Sequence, residues 1–282
     1  PASLFVAMEG TTGLIHEVTL ECEKLPEHIR TGGFFFTDMG DAMEFLRNIK
    51  ALPAEKQPPY FEIIAKDPIH NYLIEEFSDL FIPEDEALII IDGEGTTEAE
   101  TEIVFQSYLD CCPKDPSVRQ KVSPVYSYKK GDPVARRIKG PRERLPKKMR
   151  SKCKSDLEIL TRCLPEALDL IREMGDSVQD RMGPIGVELE DVLFGHLSPK
   201  QTAIIHWNIG GFDLYDEAQA KSAWDYLIET IQRISHLENK DPKSLTAAFS
   251  GEHGIAGKAP FLFLNELPKE EEERIFKIKT II

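Results

Sequence analysis

Short apolar runs alternate with amphipathic segments along this chain, and that alternation narrows its folds more than any other feature. Phe34-Phe35-Phe36 precedes the amphipathic stretch Ala42 to Ile49, Phe61 to Ala65 precedes His70 to Leu80, and Ala87 to Ile91 leads into Thr97 to Leu109. Further on, the pattern predicts a helix from about Asp156 to Met174, strands near 187–194 and 203–210, and a helix from about Glu217 to Leu237. Strands interleaved with helices pack in layers, although periodicity alone leaves the direction of the sheet open. A dinucleotide fold would carry a G-x-G-x-x-G turn between strand and helix, and the chain has none. The expected fold is therefore α+β: a largely antiparallel sheet with helices packed mainly on one face and the functional site on the other.

A chain of 282 residues with 41% hydrophobic content can bury a core as one large domain or two small ones. Its net charge of -15 opposes a phosphate backbone, so nucleic acid is not an expected partner. No apolar run approaches the ~20 residues of a membrane span. The opening Pro1-Ala2-Ser3-Leu4-Phe5-Val6 lacks a basic region and a cleavage site. Starting without Met on a strand-like run, it reads as an excised or processed chain with sequence upstream. The five cysteines include the adjacent pair Cys111 and Cys112, then Cys153 and Cys163, with no C-x-x-C, which points to reduced thiols and a cytoplasmic location.

One segment breaks the acidic composition. Lys129 to Lys154 holds twelve Lys or Arg against Asp132 and Glu143, together with Pro133, Gly140, Pro141 and Pro146. The breakers and charge predict a solvated, partly disordered linker at about 129–154. The same cations also suit an anionic substrate, an electron-transfer partner subunit or an acidic membrane surface, which would make the protein peripheral to a membrane.

Three motifs resemble the FAD-linked oxidase family of the D-lactate, glycolate and D-2-hydroxyglutarate dehydrogenase type. Met8-Glu9-Gly10-Thr11-Thr12-Gly13-Leu14-Ile15 is similar to the run that closes the family's flavin-binding domain. Ser250-Gly251-Glu252-His253-Gly254-Ile255 resembles the S-G-E-H-G-I motif, in the family's order and at a separation suited to a cap domain. Ala256 stands where the family usually has Gly. Between them, Gly195-His196-Leu197 and His206-Trp207-Asn208 resemble a strand pair whose histidines lie seven apart in the family and ten apart here.

The resemblance implies a ferredoxin-like cap over residues 22–282, following the end of a flavin-binding domain at 1–21. It implies FAD contacts from Glu9, Gly10, Thr11 and Gly13, with most of the FAD held by a domain absent from this chain. His196, His206 and Glu252 would bind a divalent metal such as zinc, His253 would serve as the catalytic base, and Arg142 and Asn208 would contact substrate. Arg142 is the arginine of Arg142-Glu143-Arg144, which resembles an R-E dipeptide whose arginine holds the substrate carboxylate. Read without the resemblance, the strand histidines are equally hydrogen-bonded core residues, Arg142 a surface cation, and His253 a residue packing a glycine-rich turn.

The implied activity is FAD-dependent oxidation of a small 2-hydroxy acid, such as D-lactate or glycolate, by the full-length protein, the isolated chain being inactive. Two alternatives differ in class: an alkylglycerone-phosphate-synthase-like enzyme, and a non-catalytic interaction subunit with the cap fold. Strand alternation adds an independent expectation. His206 and Asn208 should share one face, with Ile205, Trp207 and Ile209 on the other.

Overall fold

The computed structural model describes residues 17–19, 22, 24–115, 117–148, 153–182, 190–197, 202–213, 215–235, 237 and 247–249. In chain order these form β1 (His28–Phe36), α1 (Met39–Ala51), β2 (Tyr60–Ala65), and a short helical turn α2 (Lys66–Pro68) continued by a π-helical turn (Ile69–Leu73). Next come β3 (Ala87–Gly95), α3 (Glu98–Asp110), β4 (Arg119–Val122), β5 (Tyr126–Ser127), α4 (Pro133–Lys148) and β6 (Cys153–Leu160). The chain continues through α5 (Leu164–Met182), β7 (Glu190–Leu197), β8 (Thr202–Gly210), α6 (Glu217–Ser235) and β9 (Ala247–Phe249). The strands make one sheet in the order β4-β1-β3-β2-β7-β8-β6-β9, with β5 added beside β1. Every pairing is antiparallel.

Alternation along the strands divides the side chains between two faces. Phe34, Phe36, Ile63, Ile89, Ile91, Ile159, Ile205, Trp207 and Ile209 line the first, where α1, α3, α5 and α6 pack in one continuous core. Asp38 caps α1 by accepting from Asp41 N, and Thr97 caps α3 by accepting from Glu100 N. Trp207 meets Tyr226 of α6 edge-on with ring centroids 5.3 Å apart, and the Tyr226 hydroxyl donates to Ile171 O of α5 at 3.1 Å. Among the described residues the second face is covered only over its first half, where Phe35, Ile64, Leu88, Ile90 and Phe194 meet Ile69, Leu73, Phe77, Phe81, Ile138 and Leu145. The architecture is the expected α+β fold, with helices mainly on one face.

Two elements differ from the sequence reading. The helix expected from about Asp156 begins instead as β6, and α5 starts only at Leu164. Paired with β8 from Leu160↔Thr202 to Cys153↔Ile209, this segment lies in the sheet because its alternating apolar residues, Leu157 and Ile159, face the core. Most of the expected basic linker is α4. Asp132 opens it by accepting from Ala135 N at 2.9 Å, and Pro133 falls in the first turn, where a missing N–H costs little. Pro141 and Pro146 lie inside the helix, each at a cost of roughly 3 kcal/mol that tertiary contacts must offset. The contacts are buried Ala135, Ile138, Pro141 and Leu145, together with a close approach at Gly140, where a Cβ would come within 2.7 Å of Phe77.

Gly195 joins the two halves of the sheet. A Cβ there would lie 2.1 Å from the Ile204 carbonyl oxygen, so any side chain forces β7 away from β8. Gly195→Ala should destabilise the fold by about 1–3 kcal/mol, the usual cost of overpacking, read as a lower denaturant midpoint. An unchanged midpoint would show that the two strands are not so closely apposed.

Candidate functional site

The second face carries polar side chains at the centre of the sheet, and strand register brings them together. Glu62 of β2 pairs with His196 of β7, and Phe194 pairs with His206 of β8. The rings of His196 and His206 are 5.3 Å apart between centroids, and those of Phe194 and His206 5.0 Å apart. His206 and Asn208 are on this face while Ile205, Trp207 and Ile209 lie in the core opposite, as alternation requires. Asn208 is 2% exposed, and its amide nitrogen donates to the His206 carbonyl at 3.4 Å.

Helix α4 contributes the cations. Arg142 Nε donates to Glu62 Oε2 at 2.9 Å while the guanidinium carbon sits 4.6 Å from the Phe194 ring centroid. One turn earlier, Lys139 Nζ reaches Asp92 Oδ2 of β3 at 2.5 Å and lies 4.6 Å from the Tyr60 ring centroid. Thr31 of β1 donates to the other Asp92 oxygen at 2.7 Å and shares a 3.0 Å hydrogen bond with the Tyr126 hydroxyl. Each cation is thus held by a carboxylate from the sheet and an aromatic ring. The remaining inward-paired cations bind outside this cluster, Arg137 to Asp79 and both Arg144 and Lys148 to Glu76.

Burial raises the Glu62 carboxyl above the ordinary carboxylate range, and Arg142, His196 and His206 pull it back only in part. Glu94, on the same face two residues after Asp92, is raised by burial and then by Asp92. The Tyr60 hydroxyl is pushed strongly upward by burial, with Glu62 and Asp92 adding to it, so it stays protonated and able to donate.

Of the residues singled out in the sequence, Arg142, His196, His206 and Asn208 share this one face of the sheet. Glu9, Gly10, Thr11, Gly13, Glu252 and His253 lie outside the described residues. Among the described residues no group of three or more His, Cys, Asp or Glu is placed to hold a metal. The two histidines supply two candidate ligands, and a third would have to come from beyond the described part. Sequence reasoning missed Glu62, Asp92, Lys139 and Phe194. The available signal was a carboxylate within an apolar strand, Glu62 in Tyr60-Phe61-Glu62-Ile63-Ile64 and Asp92 closing Ile89-Ile90-Ile91, because such residues are rarely buried unless paired.

No family model and no curated protein matches the chain. Solved structures do. An alkyldihydroxyacetonephosphate synthase in a P1 crystal matches with TM-score 0.53 and 15% identity over 79% of this chain and 44% of that one. The synthase in a P212121 crystal matches with TM-score 0.49 and 16% identity over 74% and 39% of the two chains. A substrate-bound p-cresol methylhydroxylase matches with TM-score 0.49 and 13% identity over 76% and 44%. The chain therefore spans less than half the length of each of these proteins. The likeness to the synthase in the P1 crystal, at 15% identity, is one of fold.

A raised carboxyl has a defined linkage sign. The stability Glu62 contributes is fully present below its unfolded pKa and is lost as pH rises through the raised folded value. The melting temperature of the protein relative to Glu62→Gln should therefore fall as pH climbs from about 4 through that range. A difference that rises over the same interval would mean that Arg142, not burial, dominates the carboxyl.

Proposed function

We propose that the chain is the substrate-side cap of an FAD-linked flavoprotein that oxidises a small 2-hydroxy acid, such as D-lactate or glycolate, to the 2-oxo acid. The supporting observation is the Arg142 guanidinium, fixed by Glu62 and Phe194 next to the His196–His206 pair, on the face opposite α1, α3, α5 and α6. An arginine fork suits a carboxylate, and imidazoles on the adjacent strands suit a hydroxyl and its proton. Arg142 holds the acid's carboxylate through its Nη nitrogens, and Phe194 provides an apolar floor. His196 and His206, with Glu252, would hold a divalent metal, which would supply Lewis acidity toward the hydroxyl, and His253 takes the hydroxyl proton. FAD, which a separate flavin domain and the segment around Glu9–Gly13 would hold, would supply the acceptor for the hydride that leaves the α-carbon.

A second reading is favoured by the fold match to alkyldihydroxyacetonephosphate synthase: a non-redox enzyme that uses the same architecture. In that reading no 2-hydroxy acid leaves the flavin reduced. The exposed cations Lys129, Lys130, Arg136 and Lys147 of a cytoplasmic protein face an electron-transfer partner on the first reading, and an acidic membrane surface on either.

Single-turnover flavin reduction by D-lactate in the full-length protein tests the first reading. His253→Ala should slow reduction by roughly 10²–10⁴ with metal content unchanged, and Glu252→Gln should lower metal content and reduction together. No reduction by any 2-hydroxy acid in the flavin-loaded protein would favour the synthase-like reading, and normal reduction in His253→Ala would remove the base.

A further inference from the structure

We propose that Glu62 restricts Arg142 to ligands bearing a single carboxylate. This deepens the proposed function and rests on its assignment of Arg142 as the carboxylate anchor. The guanidinium is committed through Nε, whose partner Glu62 Oε2 lies 2.9 Å away, and Phe194 lies beneath its carbon at 4.6 Å. The two Nη nitrogens make no protein hydrogen bond among the described residues, and the side chain keeps 24% of its exposure. They form an end-on fork sized for one carboxylate.

The surrounding charge then decides which acids enter. Lys139, one turn away on α4, is neutralised by Asp92 at 2.5 Å, and the Asp92 side chain is itself 5% exposed. Glu62 is 11% exposed. The two cations that α4 brings to this part of the face are therefore matched by two buried carboxylates, with no surplus positive charge between them. Poorly hydrated charges interact more strongly than solvated ones at the same distance. A monocarboxylate meets the fork and stops there. The second carboxylate of a malate-sized acid reaches toward Glu62 or Asp92, where it meets like charge.

The test is calorimetric binding of D-lactate and D-malate to the full-length protein and three variants. D-lactate should bind roughly tenfold or more tightly than D-malate, a gap of about 1.4 kcal/mol. Glu62→Gln keeps the shape of the side chain and removes its charge, so the preference should collapse to within a few-fold, mainly through tighter malate binding. Glu62→Asp retains the charge and should retain the preference, which separates an electrostatic role from damage to the strand. Arg142→Gln should lose both ligands. Equal affinities in the unmodified protein, or a preference unchanged in Glu62→Gln, would overturn the role of Glu62 while leaving Arg142 as anchor. Lactate binding that survives Arg142→Gln would overturn the anchor itself, and this inference with it.

Discussion

The docking of α4 onto the sheet is the constraint on which the candidate site depends. Two cations three residues apart on one helix, Lys139 and Arg142, meet two carboxylates on adjacent strands, Asp92 and Glu62. Side chains three apart on a helix share a face, so both contacts hold the same face of α4 against the sheet. Removing one partner of such a pair leaves the other charge poorly solvated, a loss of about 3–5 kcal/mol where burial is complete. The pairs therefore fix how α4 lies against the sheet, with Ile138 and Leu145 filling the apolar space beneath it. A helix with Pro141 and Pro146 in its interior has little stability of its own, and it persists here because the sheet supplies its partners.

From that docking the rest of the site follows. Arg142 reaches over Phe194, which stands in register with His206, and Glu62 stands in register with His196. The arginine comes from a segment between β5 and β6, the histidines from a hairpin some fifty residues later, and Glu62 from a strand eighty residues before Arg142. Only the pairing of β2 with β7, at the middle of the sheet, brings these pieces side by side. Gly195 sits at that junction and allows β7 and β8 to approach closely.

Much of this was legible in the sequence where a local rule governs the outcome. Alternation placed His206 with Asn208 and put Ile205, Trp207 and Ile209 opposite, and the apolar runs at Phe34, Phe61 and Ala87 are β1, β2 and β3. Local rules misled where tertiary contacts override them. Pro141, Gly140 and Pro146 read as breakers in 129–154, yet Gly140 is small because Phe77 lies against it. The cations read as solvated because their acids, Glu62, Glu76, Asp79 and Asp92, lie far away in the chain. The register joining Glu62 to His196 was illegible for the same reason, since nothing within either strand names its neighbour. Asn208 was expected to face substrate, and its burial depends on packing that alternation does not report.

Backbone amide hydrogen exchange over residues 133–148 tests the central claim most directly, because exchange rates distinguish a helix held by tertiary contacts from a solvated linker. The account predicts slow exchange for the amides of α4 around Ile138 and Leu145, together with marked acceleration across the whole segment in Asp92→Asn combined with Glu62→Gln. Exchange at the rate of an unprotected chain in the unmodified protein would contradict it, as would protection that survives loss of both carboxylates.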